Sequence, residues 1–209
     1  MKRTASINLF LSATISLLLF ACKKGFNDTQ TNPSLNESKQ HSSLTSLTTR
    51  TIYIGGSEGG QAKYWVDNGS GTPTSVSLTG DVVNGIVATG GHVYACGSAV
   101  NPVTGLPVAA YWVDGNPTPT YLPYGTRTSY ASGIAVVGGH VYVTARVDAF
   151  LNIAVYYVDG VQVSLGSGEP NGISADGNNL YIVNSGSTPS YWKVDVSDPA
   201  NPVTTLVNL

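Results

Sequence analysis

The chain has 209 residues, 11% of them charged, with a formal net charge of −2 and 9% aromatic residues, a size and balance that suit one domain behind a leader. Its ten lysines and arginines are scattered, so no basic stripe supports nucleic-acid binding. With 24 glycines, 11 prolines and no long run of helix formers beyond residue 21, the composition favours many short strands and turns over helices.

In chain order, residues 1–21 read as a targeting segment. Lys2 and Arg3 supply a positive start, and the apolar run from Ile7 to Phe20 is too short to span a bilayer comfortably. The run ends in Leu19-Phe20-Ala21-Cys22, which resembles the lipobox of bacterial lipoproteins. That resemblance implies cleavage before Cys22, a diacylglyceryl thioether on its sulfur and acylation of the freed amine, so the membrane becomes a partner through a lipid anchor. Several acyl chains hold firmly, since each buried methylene contributes about 0.8 kcal/mol. A lipidated Cys22 leaves Cys96 without a disulfide partner. Within VYACGS, Cys96 then reads as a small buried hydrophobe and not as a nucleophile.

Residues 22–50 are rich in Ser, Thr, Asn, Gln and Lys, with no apolar period, and read as a flexible tether. Its root-mean-square reach is about 30 Å, from roughly 5–6 Å times the square root of its length. Lys23 and Lys24 follow the cysteine directly, without the aspartate that marks inner-membrane retention in some Gram-negative lipoproteins. The resemblance therefore implies the outer membrane, on either its periplasmic or its cell-surface face.

Residues 51–209 are repetitive. The phrases GIVATGGHVY (Gly85–Tyr94), GIAVVGGHVY (Gly133–Tyr142) and GISADGNNLY (Gly172–Tyr181) share one Gly-to-Tyr spacing. Aromatic phrases follow at Tyr64–Asp67, Tyr111–Asp114, Tyr156–Asp159 and Tyr191–Asp195. Tyr53, Tyr94, Tyr142 and Tyr181 mark equivalent points, and a period of about 43 residues carrying only strand and turn signals indicates propeller blades. Within one unit GIAVV is an inner strand buried on both faces, and Gly138-Gly139 turns the chain into HVYV. Ala154–Val158 gives a third strand, and Asp159-Gly160 a two-residue turn into the outer strand Val161–Leu165. The expected fold is all-β, a propeller-like array of about four blades. Thr51 begins at a second strand, so a compact four-bladed ring with irregular closure and a part of a larger propeller both remain open.

The pattern YWVDG at Tyr111–Gly115 with VYVTA at Val141–Ala145 resembles the YWKNG…VYVAG-like repeats of Bacteroidetes-type secreted lipoproteins. KVDVSDPANPV, Lys193–Val203, is similar to the turn of LVIVD-type propeller repeats. The resemblance spans Thr51 to Leu209 and implies a propeller scaffold at a cell surface. It brings no catalytic residues.

The candidate sites divide into repeated and unrepeated positions. His92 and His140 share one position but belong to separate units, which suits turn residues with unusual backbone angles better than a metal site. Asp67, Asp114, Asp159 and Asp195 read as turn aspartates, and no Asp-x-Asp-x-Asp calcium loop occurs. Trp65, Trp112 and Trp192, with Tyr157 in the third unit, read as packing between blades more than as a sugar platform. GGSEGG, Gly55–Gly60, lacks the Gly-Lys-Ser of a phosphate loop. No catalytic residue, metal or cofactor is expected. Glu58, Asp81, Arg127, Arg146, Asp148 and Glu169 break the repeat and are expected in loops between second and third strands or between blades, with Tyr124 and Tyr130 beside them. Such loops on a rigid scaffold are where binding usually resides. The leading expectation is a membrane-anchored, non-enzymatic binding or scaffold propeller for a glycan or protein partner. The alternatives are a hydrolase or lyase using Glu58, Asp81 and Glu169, and a fragment of a longer repeat protein without independent activity.

Overall fold

Period-two alternation of small, β-branched and aromatic residues produces strands throughout residues 50–150, 152–185 and 188–209, which are the residues described by the computed structural model. They belong to a unit running Ser46–Leu209. The leader, Cys22 and the tether up to residue 49 lie outside the described residues.

Four antiparallel sheets follow one another along the chain. The first holds β1 (Ile52–Glu58), β2 (Gln61–Asp67) and β3 (Thr74–Ser77). The second holds β4 (Val82–Thr89), β5 (His92–Val100), β6 (Pro107–Val113) and β7 (Thr120–Leu122). The third holds β8 (Ser129–Val137), β9 (His140–Val147), β10 (Ile153–Val158) and β11 (Val161–Ser167). The fourth holds β12 (Pro170–Asp176), β13 (Asn179–Asn184), β14 (Ser190–Asp195) and β15 (Val203–Asn208). Each sheet is a meander in sequence order. This is an all-β, propeller-like array of four blades, the first having no GI inner strand among the described residues.

The turns are those the sequence demands. Gly138 and Gly139 take φ of 60° and 86°, and Asp159 and Gly160 take 48° and 88°, the paired positive φ of a type I′ hairpin. The inner strands carry a second device. Pairing of β4 with β5 slips between Val83 and Gly85, that of β8 with β9 between Ala131 and Gly133, and that of β12 with β13 between Pro170 and Gly172. Asn84, Ser132 and Asn171 are thus bulge residues at one position of the repeat.

The inner strands approach one another closely. A Cβ on Gly85 would lie 3.1 Å from Gly133 Cα, and one on Gly133 would lie 3.0 Å from Ile173 N and 3.3 Å from Gly172 Cα. The repeated phrase opens on glycine because the next inner strand occupies the space of a side chain.

Three cores join the sheets in series. Tyr64, Ala95 and Trp112 centre the first–second core. Cys96, Val143, Val155 and Tyr157 centre the second–third. Tyr142, Tyr156, Leu180, Ile182 and Trp192 centre the third–fourth. Ile134 and Ala135 of β8 enter different cores, so this strand is buried on both faces. Burying a large apolar side chain contributes roughly 1.5–3 kcal/mol, which makes these aromatic layers the main cohesion between blades. Among the described residues no core joins the fourth sheet to the first.

Candidate functional site

Strand register assembles the unrepeated residues around the third sheet. Tyr130 on β8 lies directly opposite Arg146 on β9, and the guanidinium carbon sits 5.5 Å from the Tyr130 ring centroid. Arg146 Nε lies 3.3 Å from Asp148 Oδ1, and Nη1 lies 3.9 Å from Glu169 Oε1. Nε is buried without an aligned hydrogen-bond acceptor, so the Asp148 contact is an ion pair and not a directed bond. Arg127 Nη1 donates to the Asp148 carbonyl at 3.4 Å. Glu169 accepts a hydrogen bond from Asn152 Nδ2, and its own amide donates to Asn184 Oδ1 at 3.1 Å.

Arg127, Tyr130, Arg146, Asp148 and Glu169 therefore form one connected group. Tyr124 bridges to Arg127 through its backbone and packs half-buried against the second–third core. The other two candidates lie elsewhere. Glu58 pairs with Lys63 across the β1–β2 hairpin, and that hydrogen bond and charge hold its carboxyl below the usual range. Asp81 precedes β4, with Ser98 Oγ 3.4 Å from its carboxylate. Among the described residues no contact joins Glu58, Asp81 and Glu169. The loop placement needs correction for three residues. Glu58, Tyr130 and Arg146 sit on strands, because the hairpin ladders run further than the apolar pattern does.

A cleft of about 250 Å³ opens against this group, lined by Asn84, Tyr130, Ser132, Arg146, Glu169 and Asn171 among others. Three of these are the bulge residues, whose side chains a bulge redirects. Asn84 Nδ2 donates to the Ala131 carbonyl at 2.8 Å, tying the second sheet to the third. Ser132 Oγ lies 3.1 Å from Thr144 Oγ1, and Asn171 Nδ2 bonds Ser185 Oγ. Their signal in the sequence is small: an Asn, Ser or Asn immediately before each repeated Gly-Ile. A wider polar trough of about 580 Å³ continues from Glu169 past Asn184, Ser185 and Asn208. Glu169 stands between the two hollows.

The repeated polar residues do structural work. His92 Nδ1 donates to Asp114 Oδ2 at 2.7 Å, and His140 Nδ1 to Asp159 Oδ2 at 2.6 Å, since an ionised carboxylate can only accept. The same aspartates accept from the amides of Val93 and Val141 at 2.9 and 2.8 Å. The histidines are therefore strand residues that clip one hairpin to the next, and the turn reading given to them is corrected. The positive φ belongs to the glycines before them and to the aspartates. The hydrogen bond from His92, then that from Val93, holds the Asp114 carboxyl below its usual range. No group of three or more metal-ligating side chains occurs among the described residues.

Trp112, Tyr157 and Trp192 are buried between sheets, while Trp65 is half-buried on the first sheet. Complete burial pushes the Cys96 thiol up to about 12, which removes it as a nucleophile at neutral pH. Comparison of the chain with protein-family models gives no match, and comparison with curated proteins gives none either.

Proposed function

We propose that the protein is a non-enzymatic binding module, lipid-anchored through Cys22 at the outer membrane, whose cleft beside Arg146 takes a sugar residue of a surface glycan. The observation carrying this reading is the convergence, on one small cleft, of an aromatic ring, a guanidinium, a carboxylate, two amides and a hydroxyl. That mixture matches the alternating hydroxyls and apolar face of a sugar. A volume near 250 Å³ lies just under the range of about 300–1,000 Å³ for small-molecule sites, the scale of one sugar residue with the rest of the chain outside. The rigid repeat supplies the frame, and the residues that break it supply the discrimination.

Two measurements test the reading. Cys22→Ser is expected to release the protein from the membrane fraction; retention after a salt wash would refute the anchor. Arg127→Ala/Arg146→Ala is expected to weaken glycan binding about tenfold or more, since a charge-assisted hydrogen bond is worth about 1.5–3 kcal/mol. Arg146→Ser makes the same test with the residue the repeat itself places there at Ser57, Ser98 and Ser185. Half-exposed ion pairs contribute at most about 1 kcal/mol, so folding is expected to survive. Unchanged glycan binding by these variants, with binding lost on changing the Asp159-Gly160 turn in a folded protein, would place the site on the opposite face and overturn the proposal.

A further inference from the structure

Every internal junction between sheets is built the same way. Toward the next sheet, each blade presents the repeat tyrosine and the first tyrosine of its aromatic phrase: Tyr53 and Tyr64, Tyr94 and Tyr111, Tyr142 and Tyr156. Toward the preceding sheet, it presents one large aromatic residue among aliphatics: Trp112 with Val93, Tyr157 with Val141 and Val143, Trp192 with Leu180 and Ile182. Three junctions consume three of each kind of face. Among the described residues one of each is left.

The remaining tyrosine face is on the fourth sheet. Tyr181 and Tyr191, equivalent to the buried Tyr142 and Tyr156, line with Val183 and Leu209 an apolar hollow of about 470 Å³. Val183 is 53% exposed and Leu209 81%. The remaining tryptophan face is on the first sheet. Ile52 and Ile54 correspond to Val141 and Val143 but are 54% and 51% exposed, with Trp65 across from Ile54. Lys63 is the departure there, standing where Ala110 and Val155 stand, and it enters already neutralised by Glu58. The glycines point the same way. Gly85 and Gly133 are pressed by the next inner strand, whereas a Cβ on Gly172 would meet nothing within 4 Å. Gly172 does not take the positive φ that favours glycine. The space beside Gly172 is therefore open, where at the equivalent glycines of the second and third sheets it is filled.

We infer that a second copy of this chain covers these faces head to tail, the Tyr181/Tyr191 face of one copy seating on the Ile52/Ile54/Trp65 face of the other. The occupant is a second copy because the chain carries both halves of the junction it uses three times internally. Such an interface is heterologous and is satisfied by closing a ring. Two arcs of four sheets make eight, the upper end of the usual four to eight propeller blades. The inference is independent of the ligand cleft.

The test uses the full-length protein in mild detergent and sedimentation velocity at micromolar concentration. Wild type is expected to sediment as a dimer. Ile54→Glu and Tyr191→Glu, each altering one face, are expected to remain folded by circular dichroism and to lose the closed dimer. Mixing the two variants is expected to restore a one-to-one dimer, because Ile54→Glu keeps an intact tyrosine face and Tyr191→Glu an intact tryptophan face. A monomeric wild type, variants that dimerise as wild type does, or a dimer broken by only one of them would overturn the inference. The last outcome would indicate a symmetric face-to-face contact.

Discussion

Gly133→Ala tests the central feature of the architecture, the close approach of successive inner strands. The new Cβ would lie 3.0 Å from Ile173 N and from Ile173 Cγ2, and 3.3 Å from Gly172 Cα. The isoleucine methyl can turn aside, but the two backbone atoms cannot, so β12 must move outward by a few tenths of an ångström. Overpacking of this kind costs about 1–3 kcal/mol. Replacing glycine where φ is ordinary returns about 0.4–1 kcal/mol through the unfolded chain. The net expectation is a loss of about 1–2 kcal/mol, or roughly 2–8 °C in melting temperature for a domain of this size. Gly172→Ala is the internal control: same repeat position, same substitution, and no neighbour within 4 Å. It is expected to melt at or slightly above wild type. Both are measured by thermal and urea unfolding at a dilution where the chain is monomeric, so that association does not enter. Equal destabilisation by the two variants, or none by Gly133→Ala, would refute the account of why the phrase opens on glycine.

Gly139→Val places a β-branched residue at φ 86° and is expected to cost at least about 1–2 kcal/mol; a wild-type melting curve would contradict the turn. Cys96 is expected to resist maleimide in the folded protein and to label fully in urea. Because its folded pKa is raised, no stability is lost below the unfolded value near 8.5, and stability falls as pH rises from there toward about 12. Unfolding midpoints at pH 7 and pH 10 compared with those of Cys96→Ala check that sign. In acid the direction reverses. Asp114, Asp195 and Asp198 all have carboxyls held below the usual range by hydrogen bonds, first from His92, Ser197 and Asn201 respectively. Their contribution is present above the unfolded carboxylate pKa and lost as pH falls through the lower folded values. The stability gap between wild type and Asp114→Asn is expected to shrink to nothing in strong acid, and a constant gap would exclude the carboxylate as its source.

What the sequence made legible follows from how local each cause is. Gly138-Gly139 and Asp159-Gly160 specify their hairpins within two residues, and the Tyr-to-Tyr period counts the blades. The packing of Trp112, Tyr157 and Trp192 could be read from their shared place in successive strands. The bulges were not legible, because a bulge exists only when two residues of one strand oppose one of another. Nothing local therefore marks Asn84, Ser132 and Asn171 as residues that line the cleft. The partners of His92 and His140 lie 22 and 19 residues away across the sheet, beyond any local pattern. Whether the array closes depends on the small rotation between neighbouring sheets, which accumulates along the chain and is written in no single residue.

The place of Arg146 explains how a repeat can carry the proposed site without losing its fold. By repeat spacing it occupies the position of Ser57, Ser98 and Ser185 in the other three sheets, and it is itself in none of the inter-blade cores, although its neighbours Ala145 and Val147 are. Tyr130, directly opposite, stands where β4 carries Val82 opposite Ser98. Where the second sheet has a serine–valine pair the third has an arginine–tyrosine pair, and the next connection supplies Glu169 to the same guanidinium. These changes lie outside the aromatic layers that hold the sheets together, so packing does not oppose them. They also coincide with the bulges, where the backbone already turns polar side chains toward the cleft. Cohesion sits in the repeated tyrosines and tryptophans; the proposed recognition site sits beyond them, where the repeat stops constraining the side chain.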